Sequence, residues 1–85
     1  MGLTQMKYQI KAFGVVKDIV GGKEITLENS SSVAVGDLLR ELKARYPKLT
    51  ALNSLFVAVN REYAEQSKML SENDEIALIP PVSGG

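Results

Sequence analysis

The part of the sequence with the most chemical potential is its last six residues, Pro80-Pro81-Val82-Ser83-Gly84-Gly85. Two terminal glycines lack Cβ atoms, so they can pass through a narrow channel and leave their carboxylate unhindered. An activating enzyme could adenylate that carboxylate with ATP, which turns a poor electrophile into a good one. A sulfide equivalent could then displace AMP and leave a thiocarboxylate.

Pro80 and Pro81 separate these residues from the strand-like segment before them. Neither proline can donate a ladder hydrogen bond, so the pair ends the sheet. Prolines also favour extended polyproline geometry, which projects the following residues away from the body. The alternative interpretation is a frayed end with no role. A glycine pair one short extended segment beyond the last core strand favours a functional tail.

Composition excludes several other kinds of site. The 85 residues include no cysteine and no histidine. Disulfides, thiol nucleophiles, Cys/His zinc sites and histidine-based triads are therefore excluded. No acidic cluster has the spacing of an EF-hand. We expect no metal site and no permanently bound cofactor, and any sulfur that the protein handles must be brought to it.

Charge and hydropathy indicate which partners to expect. Ten basic residues balance ten acidic ones, so electrostatics give no reason to expect a nucleic acid or a membrane as partner. No apolar run approaches the roughly 20 residues that span a bilayer. The N-terminus has no apolar segment of a secretory signal, and we expect a cytoplasmic protein.

Hydrophobic periodicity predicts the elements that position this tail. Residues 6–13 alternate between apolar and polar, which is typical of a half-buried strand. A second strand is predicted at 23–28, with Ile25 and Leu27 facing inward. The mixed segment 14–20 between them is interpreted as a hairpin loop that closes at Gly21-Gly22.

One amphipathic helix follows, and Pro47 ends it because proline lacks the N–H and disfavours helical geometry for the residue before it. The inward stripe of the helix has the spacing i, i+3, i+4, i+7, i+11 and consists of Val35, Leu38, Leu39, Leu42 and Tyr46. Beyond the helix, strands are predicted at 55–59, 62–64 and 75–79, and Asn60-Arg61 is predicted to form a tight turn.

The order of elements indicates the fold class. Strand, strand, helix, strand, short strand and strand within one small domain suggest an α+β protein of the β-grasp (ubiquitin-like) type, a mixed sheet packed on one main helix. The order alone also fits half of a ferredoxin-like fold. We assign residues 6–79 to the domain, 80–85 to a flexible tail and 1–5 to an extension or cloning remnant.

The direction in which side chains point on the first and last strands predicts an interaction patch. Phe13 shares its face with Lys7, Gln9 and Lys11, and Ile79 shares its face with Glu75 and Ala77. Both apolar residues are thus on the outward side near a strand end, close to the tail if the two strands are neighbours. Paired outward apolar residues suggest a partner surface. The alternative is that sheet twist or a loop buries them.

Four segments resemble a known family, the MoaD-like sulfur carriers that form the small subunit of molybdopterin synthase. Residues 73–85 resemble the family's acidic turn, last strand and Pro-Pro-Val-Ser/Thr-Gly-Gly ending. Residues 13–18, 35–39 and 57–60 are similar to three further family segments. Two departures stand out: Gly14 occupies a position where alanine is common, and Leu78-Ile79 is aliphatic where some members have aromatic residues.

The resemblance implies a role for each tail residue. Gly85 would carry the acyl-adenylate and then the thiocarboxylate, and Gly84 would fit the narrow channel. The remaining tail residues, which thread with them, are Ser83, Val82, Pro81 and Pro80. The implied partners are an E1-like adenylating enzyme (MoeB-like) and the large synthase subunit (MoaE-like), which holds the catalytic residues. The chain itself would be a sulfur-donor subunit without a catalytic site.

Other functions fit the same tail. The sulfur could serve another product, such as a thiazole, cysteine or a thiolated tRNA base. Gly85 could instead form an isopeptide bond to a lysine, as in a ubiquitin-like modifier. A plain docking module with an inert tail is the fourth reading.

Overall fold

Two antiparallel strands open the fold in this computed structural model, which describes residues 6–29, 31–52 and 54–80. Strand β1 (Met6–Ala12) pairs with β2 (Glu24–Asn29) in a register that sets Ile10 opposite Ile25. The predicted alternation is confirmed along β1. Its inward residues Tyr8, Ile10 and Ala12 are buried, and its outward residues Lys7, Gln9 and Lys11 are exposed.

The segment between these strands is a helix, so the loop prediction is wrong. Helix α1 (Gly14–Val20) buries Val16 fully and half-buries Ile19 and Val20. These three residues have the i, i+3, i+4 spacing of a helical stripe, but seven residues are too few for periodicity to separate a helix from a loop. The helix ends at Gly21, whose φ is +83° and whose N–H donates to the Lys17 carbonyl at 2.9 Å. The predicted turn at Gly21-Gly22 is therefore confirmed as a helix C-cap.

The predicted main helix is confirmed as α2 (Val35–Arg45), with its apolar stripe turned into the core. Ala34 has no side-chain oxygen to cap the helix. The Asp37 carboxylate accepts a hydrogen bond from the Ala34 N–H at 3.2 Å, which satisfies one donor that the N-terminus leaves free. Pro47 ends the helix as expected and begins a short 3₁₀ helix, Pro47–Ala51.

Three further strands complete one sheet. They are β3 (Phe56–Val59), β4 (Glu62–Tyr63) and β5 (Ile76–Ile79), each within a predicted strand. The order across the sheet is β2-β1-β5-β3-β4. The central strands β1 and β5 pair in parallel, and all other pairs are antiparallel.

The sheet has one covered and one open face. Inward residues of the strands join those of α1 and α2 in a single buried cluster. A mixed five-stranded sheet packed on a main helix is the β-grasp fold. Along the described ranges, no helix has both the length and the apolar character that crossing a membrane requires.

Candidate tail base and docking face

The predicted tail starts from a central strand of the sheet. Pro80 directly follows β5 and is half-buried. A Cβ built on Gly14 would lie 3.3 Å from the Pro80 Cγ, so the proline ring lies against the start of α1. Gly14 also has a φ of +55°, a conformation that favours glycine. The structure thereby fixes the position of Pro80, the first residue of the predicted tail.

The other predicted tail residues lie outside the described residues. They are Pro81, Val82, Ser83, Gly84 and Gly85. The proposed extension 1–5 lies outside them as well.

The structure brings Phe13 and Ile79 together on the open face of the sheet. Ala12 pairs with Leu78 in the parallel register, and both of these residues face the core. Since side chains alternate between faces, the next residue on each strand points outward. Phe13 continues β1 in an extended conformation, with 48% of its surface exposed, and Ile79 is half-buried. Both line one shallow depression of about 320 Å³.

Sequence reasoning missed two aromatic residues beside them. Phe56 is the direct cross-strand partner of Ile79, and Tyr63 is the partner of Ala58. The two aromatic rings lie 5.5 Å apart at an angle of 37°. Phe56 is 50% exposed and Tyr63 73% exposed. We call the outward set the apolar face; it consists of Phe13, Phe56, Ala58, Tyr63, Ala77 and Ile79.

The facing of β3 could not be read from its residue types. All four of its residues are apolar, so the strand shows no contrast between an inward and an outward side. The useful signal was indirect. Once Glu75 and Ala77 are set outward with Ile79, antiparallel pairing places Phe56 and Ala58 on the same face.

Charged groups border the apolar face at the other end of β5. The Glu75 carboxylate lies between two cations, 3.3 Å from Lys11 Nζ and 3.7 Å from Arg61 Nε. These three side chains come from β1, from the residue before β5 and from the β3–β4 turn. We call them the charge triad. It carries one more positive than negative charge, and each member is at least 43% exposed.

Asn60 holds the turn against the start of β5. Its Oδ1 accepts a hydrogen bond from the Glu75 N–H, and its Nδ2 donates to Asp74 Oδ1, both at 3.0 Å. Its own N–H donates to the Glu75 carbonyl at 2.8 Å. The predicted turn at Asn60-Arg61 is confirmed, and these bonds give Glu75 and Arg61 fixed backbone positions.

The described side chains form a partly exposed apolar surface with a charged border, next to Pro80. Over residues 6–29, 31–52 and 54–80, no three of the side chains that usually bind metals are grouped to hold an ion. These side chains instead offer a partner a shallow apolar depression and a border of charged groups. A partner seated on the apolar face would contact Ile79 and reach Pro80 directly.

A family model and a curated relative match most of the chain. The ThiS family model matches residues 10–85. The molybdopterin synthase sulfur carrier subunit of Dictyostelium discoideum is 40% identical over 86 aligned residues, which cover 93% of this chain and 96% of that protein.

Two solved structures share the fold. One is a Pyrococcus furiosus protein assigned as subunit 1 of a molybdopterin converting factor. It has a TM-score of 0.81 and 26% identity, and covers 91% of this chain and 99% of its own. The other is the small archaeal modifier SAMP1 of Haloferax volcanii. It has a TM-score of 0.77 and 27% identity, and covers 93% of this chain and 99% of its own.

Proposed function

Because the chain belongs to the ThiS family, we propose that it is the sulfur carrier subunit of a molybdopterin synthase. In this role Gly85 bears a thiocarboxylate and donates its sulfur to the pterin precursor of molybdopterin. The observation that carries the proposal is the 40% identity with a sulfur carrier subunit over 93% of the chain. The family match also extends through residue 85, so it includes both tail glycines.

The chemistry takes place on the terminal carboxylate in three steps. An E1-like adenylating enzyme joins AMP from ATP to the Gly85 carboxylate, and pyrophosphate leaves. A sulfur nucleophile then attacks the activated carbonyl carbon; the bond to AMP breaks and a thiocarboxylate remains. In the large subunit, the sulfur passes to the precursor, and water returns Gly85 to a carboxylate. Gly84 and Gly85 suit a narrow channel because neither has a Cβ.

In this proposal the chain positions its reactive C-terminal glycine, and the large subunit supplies the catalytic residues. The apolar face is the proposed docking site, since it begins one residue before Pro80. Exposed aromatic side chains of this kind are enriched at protein interfaces. Pro80 lies against Gly14. The first residue of the tail therefore has a fixed position relative to a partner that binds the apolar face.

Mass spectrometry of the protein from its native host tests the proposal. In cells with ample sulfur that make molybdoenzymes, we expect a fraction heavier by about 16 daltons, because sulfur replaces one carboxylate oxygen. The matched control is a chain that lacks Gly85, which should show no such fraction and donate no sulfur. An unmodified terminus under these conditions would contradict the proposal.

A second candidate function has its own support. The likeness to the modifier SAMP1, with a TM-score of 0.77, favours conjugation of Gly85 to lysines of other proteins. The same experiment separates the two functions. A lysine-linked adduct in the absence of a thiocarboxylate would favour the modifier. If the chain carries a thiocarboxylate but a binding titration finds no affinity for the large subunit, sulfur delivery to another product is favoured.

A further inference from the structure

Arg61 occupies a backbone conformation that favours glycine. Asn60 and Arg61 have φ values of +53° and +72°, as the two central residues of a type I′ hairpin turn require. Asparagine tolerates this conformation, and glycine is the preferred second residue because it has no Cβ. Of the described residues other than glycine, only these two have positive φ. An arginine here is less favourable for the turn than a glycine would be.

The contacts of the Arg61 side chain do not offset this disadvantage. The side chain is 86% exposed, and its one ion pair with a described residue, Glu75, is 3.7 Å long. Exposed pairs of this kind contribute little to folding. Glu75 is also closer to Lys11, at 3.3 Å, so it has a cation without Arg61. Folding alone therefore gives no reason for arginine at this position.

The position of Arg61 provides a reason of another kind. Arg61 lines the depression that also contains Phe13, Tyr63 and Ile79. Two cations share one carboxylate in the charge triad, in a chain whose formal net charge is zero. The charge triad thus has one excess positive charge, and the exposed Arg61 guanidinium can pair with a carboxylate on a docked protein. A guanidinium also offers several N–H donors for such a group.

We propose that Arg61 is a specificity-determining residue, which recognises an acidic side chain of the synthase large subunit when that subunit docks on the apolar face. The inference rests on the proposed function, since it takes the large subunit as the partner. Arginine stays in a glycine-favouring turn because it contributes to recognition at some cost in stability. The two effects therefore have opposite signs and can be measured separately.

The variant Arg61→Gly separates the effect on stability from the effect on recognition. We expect its Tm to rise by about 4 °C, because glycine relieves the turn. Its Kd for the large subunit of the same organism should increase about fivefold, mostly through slower association, and should depend less on salt. Arg61→Gln removes the charge and keeps a side chain in the turn. It should bind as weakly as Arg61→Gly, with a Tm near that of the wild type.

The matched control is Arg40→Gln. Arg40 lies on α2, is 79% exposed and pairs with Asp37 at 3.1 Å, so this change also removes one exposed, paired arginine charge. We expect its affinity to equal that of the wild type. Wild-type affinity in Arg61→Gly, or an equal loss in Arg40→Gln, would overturn the role of Arg61 while the proposed function stands. A wild-type chain that does not bind the large subunit would overturn the proposed function and this inference with it.

Discussion

At the scale of single residues, Phe13 combines a structural backbone with an exposed side chain. Its carbonyl accepts a hydrogen bond from the Val16 N–H at 3.0 Å, at the start of α1. Its ring is 48% exposed on the apolar face. The backbone role does not depend on the side chain, so the ring can be replaced without loss of this hydrogen bond.

We expect Phe13→Asp to weaken binding of the large subunit by about tenfold or more, because it places a charge in an apolar contact. Its Tm should change little, since aspartate is a favourable residue at a helix N-cap. Calorimetric titration and a thermal melt measure the two effects. Met69→Asp is the control, because Met69 is 57% exposed and does not line the depression. Unchanged affinity in Phe13→Asp would remove Phe13 from the docking surface.

The sequence predicted part of this surface. Phe13 directly follows β1, whose outward residues are polar, and Ile79 ends β5, which the outward Glu75 precedes, so alternation could assign the facing of both. Phe56 lies in a wholly apolar strand, and Tyr63 in a strand of two residues. Neither strand has a usable period, and only the pairing of β3 with β4 and β5 reveals where these aromatic residues lie.

At the scale of elements, α1 is a short helix with a positive-φ glycine at each end. Gly14 begins it at +55°, and Gly21 caps it at +83°. Their surroundings differ. A Cβ on Gly21 would meet nothing within 4 Å, whereas one on Gly14 would meet Pro80 at 3.3 Å. Alanine at the two positions therefore separates backbone strain from contact with the tail base.

We expect Gly21→Ala to lower the free energy of unfolding by about 1 kcal/mol, through the backbone alone. Gly14→Ala should cost more, about 2 kcal/mol, because it adds a tight contact to the same strain. Urea unfolding curves of the two variants provide the comparison. Equal losses would show that Pro80 can move away from α1 at no cost.

Long and short elements differ in what the sequence reveals. The stripe of α2 runs through three turns, so its period is unambiguous. Helix α1 has two turns, no side-chain cap and three β-branched valines, which have low helix propensity. It forms because Val16 enters the core, a tertiary effect that local pattern does not contain.

At the scale of the whole molecule, stability comes from the apolar core, with little contribution from charge. The formal net charge is zero. In all four ion pairs found among the described residues, both side chains are at least 43% exposed. Pairs this exposed contribute about 0–1 kcal/mol each and are screened by salt.

We expect the Tm of the free protein to change by less than about 2 °C between about 0.05 M and about 0.5 M sodium chloride. Docking on the large subunit should weaken over the same range, because it involves Arg61. Thermal melts and binding titrations in one salt series test both statements. A large drop in Tm would mean that exposed pairs contribute more to folding than their geometry indicates.

The parallel pairing of β1 with β5 also has a practical consequence for experiments on this protein. Ala12 lies beside Leu78, whereas Met6 lies six residues back along β1, about 20 Å away at about 3.3 Å per residue. Met6 is therefore at the opposite end of the sheet from Pro80, and it is the better of the two ends of the described chain for attaching an affinity tag or a fluorescent dye. We expect that protein labelled in this way can be used in partner-binding assays, because the label does not block the carboxyl end.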